Sequence, residues 1–104
     1  MKAMVVFTTT PDLASARKIA KALVTQKLAA CVSVLPGILS TYRWKAKVEN
    51  AREALLLIKT SKARWKAVQS FVLSRHSYKL PELIALPVVA GSKKYLDWLE
   101  LNME

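Results

Sequence analysis

The sequence predicts one α+β domain over residues 1–104, with strands and helices in the order β-α-β-x-α-β-α, where x is one segment that pattern alone leaves open. Three observations lead there. Nothing in the 104 residues reads as a linker, repeat or low-complexity tract that would divide the chain. Hydrophobic residues make up 53% and charged residues 23%, enough apolar material for a packed core and too much for a disordered chain. Apolar positions also switch along the chain between a spacing of about 2 and one of about 3.6 residues.

Taken in order, Ala3 to Thr9 is nearly continuous in apolar and β-branched residues and reads as a buried first strand. Thr10 is the expected N-cap of the following helix, with Pro11 at its first position and Asp12 complementing the positive end of its dipole. Ala16, Ile19, Ala20, Leu23 and Val24 recur at helical spacing, leaving Arg17, Lys18 and Lys21 toward water. Ala29 to Trp44 alternates on both sides of Pro36-Gly37, which reads as one long strand bent by a bulge at that dipeptide. Beyond the bulge, Ile38, Ser40, Tyr42 and Trp44 share a face.

Lys47 to Thr60 is the open segment. Val48, Ala51, Leu55 and Ile58 fit a helical stripe, and propensity favours helix. Leu55 to Ile58 fits equally well the buried centre of a strand returning along its predecessor. A strand here would complete the split βαβ, ferredoxin-like arrangement with an added C-terminal helix. Ser61 is the expected N-cap of the next helix, whose inner face carries Trp65, Val68 and Val72. Tyr78-Lys79-Leu80-Pro81 forms a loop, and Glu82 to Val89 is a strand in which Pro87 marks an end or an edge. Ser92 caps a last helix, Lys93 to Leu101, burying Tyr95, Leu96 and Leu99 with Trp98 on its shoulder.

Lys and Arg number 17 against 7 Asp and Glu, a formal charge of +10, and they are dispersed as a solvated basic surface is. Cys31 is the single cysteine, which excludes an intrachain disulfide and fits a reducing compartment. Met1 to Phe7 is too short for a secretory leader, and no run approaches the ~18 apolar residues of a membrane span. A soluble, cytoplasmic protein is expected. Only Gly37 and Gly91 are present, too few for a glycine-rich phosphate loop, and His76 is the one histidine, so no enzyme and no required cofactor are expected. The apolar surplus of so small a domain points to association with a partner.

Leu28-Ala29-Ala30-Cys31-Val32, Pro36-Gly37, Tyr42-Arg43-Trp44, Leu57-Ile58-Lys59-Thr60, His76-Ser77-Tyr78, Pro81-Glu82-Leu83 and Tyr95-Leu96-Asp97-Trp98, in that order over nearly the whole chain, resemble the CutA divalent-cation-tolerance family. The resemblance implies a role in divalent metal ion tolerance and a homotrimer of ferredoxin-like subunits, related in architecture to PII signalling proteins. It implies that Lys47–Thr60 is the return arm of a long β-hairpin, and that Tyr42 and Trp44 lie at the trimer interface. Such arms would leave unpaired edges unless a neighbouring subunit covered them.

The resemblance also implies a copper site made by a cysteine and two adjacent histidines, whose positions here hold Thr8, Arg75 and His76. Thr8 lacks a thiolate and Arg75 keeps its charge, so only His76 remains, alone or with Glu82, as a weak ligand for copper or another divalent cation. The other reading of His76 is a loop histidine whose ring nitrogens bond to backbone. Lys59, Tyr78 and Glu82, with His76, are expected around an intersubunit cleft for a small anion or metabolite. The plainer reading of Lys59 is an ion pair with a carboxylate, and of Cys31 a small buried hydrophobe. Ala46 stands where the hairpin tip of the family has glycine, and Ser77 where it has proline. The rival reading, a polyanion- or RNA-binding module on the same fold, fits the charge. It lacks the aromatic strand signature, so nucleic acid is not the expected partner.

Overall fold

The computed structural model describes all 104 residues. Its elements are β1 (Ala3–Thr10), α1 (Leu13–Thr25), β2 (Cys31–Trp44), β3 (Lys47–Ser61), a three-residue 3₁₀ turn (Lys62–Arg64), α2 (Trp65–Arg75), β4 (Ile84–Pro87) and α3 (Lys93–Leu101). The four strands form one antiparallel sheet in the order β2-β3-β1-β4, as in the ferredoxin-like plan. The open segment is therefore a strand: pairing with two neighbours satisfies its backbone, and this tertiary gain overrides the helical preference of Glu, Ala and Leu.

Alternation assigns each face. Val6 in β1 and Ala54, Leu56 and Ile58 in β3 are buried beneath Ala16, Ile19 and Leu23 of α1 and Val68 and Val72 of α2, which together make the main core. A smaller cluster of Ala30, Leu99 and Met103 seats α3 against the start of β2. Residues of opposite parity, Val5 and Phe7 in β1, Leu55 and Leu57 in β3, and Ile84 and Leu86 in β4, form the second face of the sheet. They remain half-buried or exposed.

The bulge lies at Pro36-Gly37. Leu35 pairs with Leu55 and Ile38 with Glu53, so two residues of β2 oppose the single Ala54. Gly37 takes φ +68° with open space around it. One extra residue reverses the parity of β2. Cys31, Ser33 and Leu35 carry the second face before the bulge, and Ser40, Tyr42 and Trp44 carry it afterwards. At the tip, Trp44 pairs with Lys47, and the two linking residues, Lys45 and Ala46, have φ of 50° and 65°. These are the positive angles of the primed turns that fit hairpin twist, adopted here without glycine.

Several local expectations need correction. Asp12, not Thr10, is the N-cap of α1: its Oδ1 accepts the Ser15 N–H at 2.7 Å, while Thr10 ends β1 and gives its hydroxyl to the Asp12 carbonyl at 2.8 Å. Ser61 closes β3, caps nothing with its side chain and keeps a buried hydroxyl without a partner. The 3₁₀ turn therefore precedes α2. Ser92 precedes α3 but its hydroxyl does not cap it. The last strand spans Ile84–Pro87 rather than Glu82–Val89; Pro87 ends it, and β4 is a sheet edge. Val24 and Tyr95, expected on buried stripes, are 41% and 44% exposed, and Tyr95 stacks on Trp98 with centroids 5.8 Å apart.

Candidate functional site

The site is built where the loop after α2 crosses the end of the sheet. His76 ends α2 as its C-cap, and its ring is fixed on both sides by backbone. Nε2 lies 2.6 Å from the Thr9 carbonyl, and Nδ1 accepts the Tyr78 N–H at 3.1 Å. Because the amide needs a lone pair at Nδ1, the hydrogen sits on Nε2 and is donated to Thr9. The His76 and Tyr78 rings then lie 4.9 Å apart, and the chain passes to the second face.

There the Tyr78 hydroxyl donates to Glu53 Oε2 at 2.8 Å. Burial pushes the Tyr78 phenol up to about 12, and the bond to the Glu53 carboxylate adds to the shift. Glu53 is itself 9% exposed. It reaches this position because Ile38↔Glu53 is the first pair beyond the bulge, on the face that carries Tyr42 and Trp44. Tyr42, Arg43, Trp44, Glu49, Glu53, Tyr78, Lys79 and Glu82 line one cleft of about 760 Å³, in which Thr9 and Glu53 are buried and the other charged residues are exposed.

Within one chain the structure thus gathers Tyr78, Glu82, Tyr42 and Trp44 and sets two other candidates apart from them. Lys59 lies six residues from Glu53 along β3, roughly 20 Å at strand rise. Its ammonium donates to Ser33 Oγ at 2.7 Å and approaches Cys31 Sγ at 3.9 Å, so neither the cleft nor a carboxylate holds it. Cys31 is correspondingly half-buried beside that ammonium, not sealed in the core. His76 faces a different cavity, of about 180 Å³, between α1 and the end of α2, shared with Ser15, Lys18, Phe71, Arg75 and Ser77.

The metal donors do not fit together within one chain. Thr8 is fully buried on the helix-covered side and its hydroxyl has no partner. Arg75 lies over the Phe71 ring, its Cζ 4.9 Å from the centroid. Both His76 nitrogens are engaged, so a cation at Nδ1 must first displace the Tyr78 amide. No three His, Cys, Asp or Glu side chains come close enough to share an ion. Glu53 was missed by reading the sequence, although Glu53, Leu55, Leu57 and Lys59 share a face once β3 is a strand.

The model of one protein family, described as CutA1 divalent ion tolerance protein, matches residues 4–102. The chain is 46% identical over 98 residues to the divalent-cation tolerance protein CutA of Thermus thermophilus, covering 94% of this chain and 95% of that one. It is 44% identical over 97 residues to the chloroplastic protein CutA of Arabidopsis thaliana, covering 93% of this chain but 53% of the plant protein. It therefore spans about half the length of that relative. Among solved structures, CutA from Xylella fastidiosa superposes over the whole of both chains with a TM-score of 0.96 at 42% identity. The periplasmic divalent cation tolerance protein CutA from Archaeoglobus fulgidus does so over 98% of this chain and 99% of its own, with a TM-score of 0.94 at 37% identity.

Proposed function

The chain belongs to the CutA1 divalent ion tolerance family, and from that premise we propose that it serves divalent metal ion tolerance as an assembly of three copies, not as a catalyst. The observation that carries the assembly is the second face of the sheet. Val5, Phe7, Leu55 and Leu57 are half-buried, and Ile84 and Leu86 are 52% and 50% exposed, with no helix laid across them as α1 and α2 cover the other side. An antiparallel sheet that is apolar on both faces needs cover on both. The long outer edge of β2 and the exposed Leu39, Tyr42 and Trp44 of its arm extend that demand into the hairpin. Head-to-tail pairing of such arms closes into a ring, with Tyr42 and Trp44 at each seam, in the manner of the PII-like trimers.

The cleft beside those aromatics is then the place for a small ligand. Copper or another divalent cation binds weakly, through His76 after it releases the Tyr78 amide. No helix is long and apolar enough to cross a membrane. The unpaired Cys31 favours the cytoplasm for this chain.

Sedimentation equilibrium tests the assembly. The expected mass is three times 11.6 kDa, and Trp44→Glu lowers it toward that of one chain. A wild-type protein that stays at 11.6 kDa at micromolar concentration would sink the proposal. Copper titration of His76→Ala tests the metal role, which fails if affinity is unchanged.

A further inference from the structure

The cleft opposes the charge of the protein around it. In a chain of formal charge +10 with 7 carboxylate side chains, Glu49, Glu53 and Glu82 all line this one cavity. Arg43 and Lys79 also line it and are exposed, as Glu49 and Glu82 are, and the one buried charge is the Glu53 carboxylate. Oε2 of Glu53 takes the Tyr78 hydroxyl; Oε1 has no hydrogen-bond partner, and neither ion pair of the chain involves this residue. Oε1 is not sealed from solvent but opens to the cleft, so a cation brought there gains a charge-assisted hydrogen bond to a carboxylate otherwise held by one neutral phenol.

The walls point to the kind of cation. Tyr42, Trp44 and Tyr78 line the same cleft, and aromatic rings attract organic cations. The cavity, about 760 Å³, has the size of a small-molecule site. The carboxylates are also too dispersed to ligate one bare ion, since no three acidic, His or Cys side chains converge. We propose that the cleft receives a guanidinium group, with Glu53 as its buried counter-charge and the aromatic side chains as its flanks. A planar guanidinium matches this arrangement in two ways: its forked donors reach a carboxylate side by side, and its face stacks on a ring. The group arrives either on a free small molecule or on an arginine of a second copy. The inference deepens the cleft reading above by naming what the cleft takes.

Methylguanidinium and its neutral isostere methylurea are the probes, titrated at constant ionic strength against the assembled protein. The Trp44 indole and Tyr78 resonances are followed, assigned with Trp44→Phe and Tyr78→Phe. Methylguanidinium is expected to shift both saturably and methylurea not, with Glu53→Gln weakening the binding about ten- to a hundred-fold. Where an arginine of a second copy already fills the cleft, the probe leaves the signals still and Glu53→Gln instead shifts the sedimenting mass toward one chain. Should Glu53→Gln fail to fold, Glu53→Asp keeps the charge and must keep the preference for methylguanidinium over methylurea. Silence to methylguanidinium with an unchanged mass in Glu53→Gln overturns the assignment. If ADP moves the same resonances in that case, only the cation assignment falls. If neither probe nor ADP moves them, the cleft reading falls as well.

Discussion

The Tyr78 hydroxyl and the Glu53 carboxylate, 25 positions apart, meet at 2.8 Å and join the loop after α2 to the base of the hairpin. That contact has a consequence at high pH. The phenol ordinarily ionises near 10.0 and is raised to about 12, so folding favours its protonated form. The sign follows from linkage: this contribution is complete below pH 10.0 and is lost as pH rises through about 12. Thermal midpoints measured from pH 9 upward should fall across that window in the wild type. The fall should be shallower in Tyr78→Phe, which has no phenol to ionise.

Thr8 carries a buried hydroxyl with nothing to bond. Valine has nearly the same shape and no polar atom to strand. Thr8→Val should therefore stabilise the protein by about 1 kcal/mol, seen as a higher denaturant midpoint at unchanged slope. A loss of stability would mean that the hydroxyl is bonded within the folded chain.

Ala46 holds φ at 65° in the hairpin turn, where a Cβ is unfavourable by about 1–2 kcal/mol. Ala46→Gly should recover about 1 kcal/mol after the greater flexibility of glycine in the unfolded chain is counted. Ala46→Val, β-branched at the same angle, should do the reverse. Chemical denaturation of the three proteins in parallel decides the ranking.

Asp12 caps α1, and its carboxyl is held below 3.8 by the Ser15 backbone bond first and the Ser15 side chain second, with the Lys18 charge contributing. A depressed carboxyl contributes stability that is present above 3.8 and is lost as pH falls through its lower folded value. Asp12→Ala should lower the thermal midpoint at neutral pH and remove that part of the acid limb. Asp12→Asn, which can still cap, should keep most of the neutral-pH stability. Equal midpoints for all three proteins would show that the cap is immaterial.

Local pattern reached far along this chain. The apolar run of β1, the stripes of α1 and α2, the bulge at Pro36-Gly37 and the edge position of Pro87 all follow from residues close in sequence, because side-chain period and proline geometry act over a few positions. The positive φ at Ala46 was legible only through the family resemblance, because a two-residue hairpin turn presupposes that Lys47–Thr60 returns as a strand. Caps were read less well. Thr10, Asp12, Ser61 and Ser92 are all residue types that cap, and which of them does so depends on where the preceding strand stops.

The site was legible only in part. Tyr78, Glu82, Tyr42 and Trp44 meet at one cleft within the chain, and six residues of strand separate Lys59 from Glu53 there. Glu53 itself looked like one more helix-forming glutamate while Lys47–Thr60 remained open.

The sequence alone determined the order of the elements and, outside Lys47–Thr60, most of their apolar faces, because those depend on spacing within a single segment. Tertiary structure decided that Lys47–Ser61 is a strand, that His76 gives both nitrogens to backbone and that Glu53 lies buried against Tyr78. The reason is common to all three. Each is a pairing between segments distant along the chain, and a pairing energy belongs to neither partner until the fold brings both together.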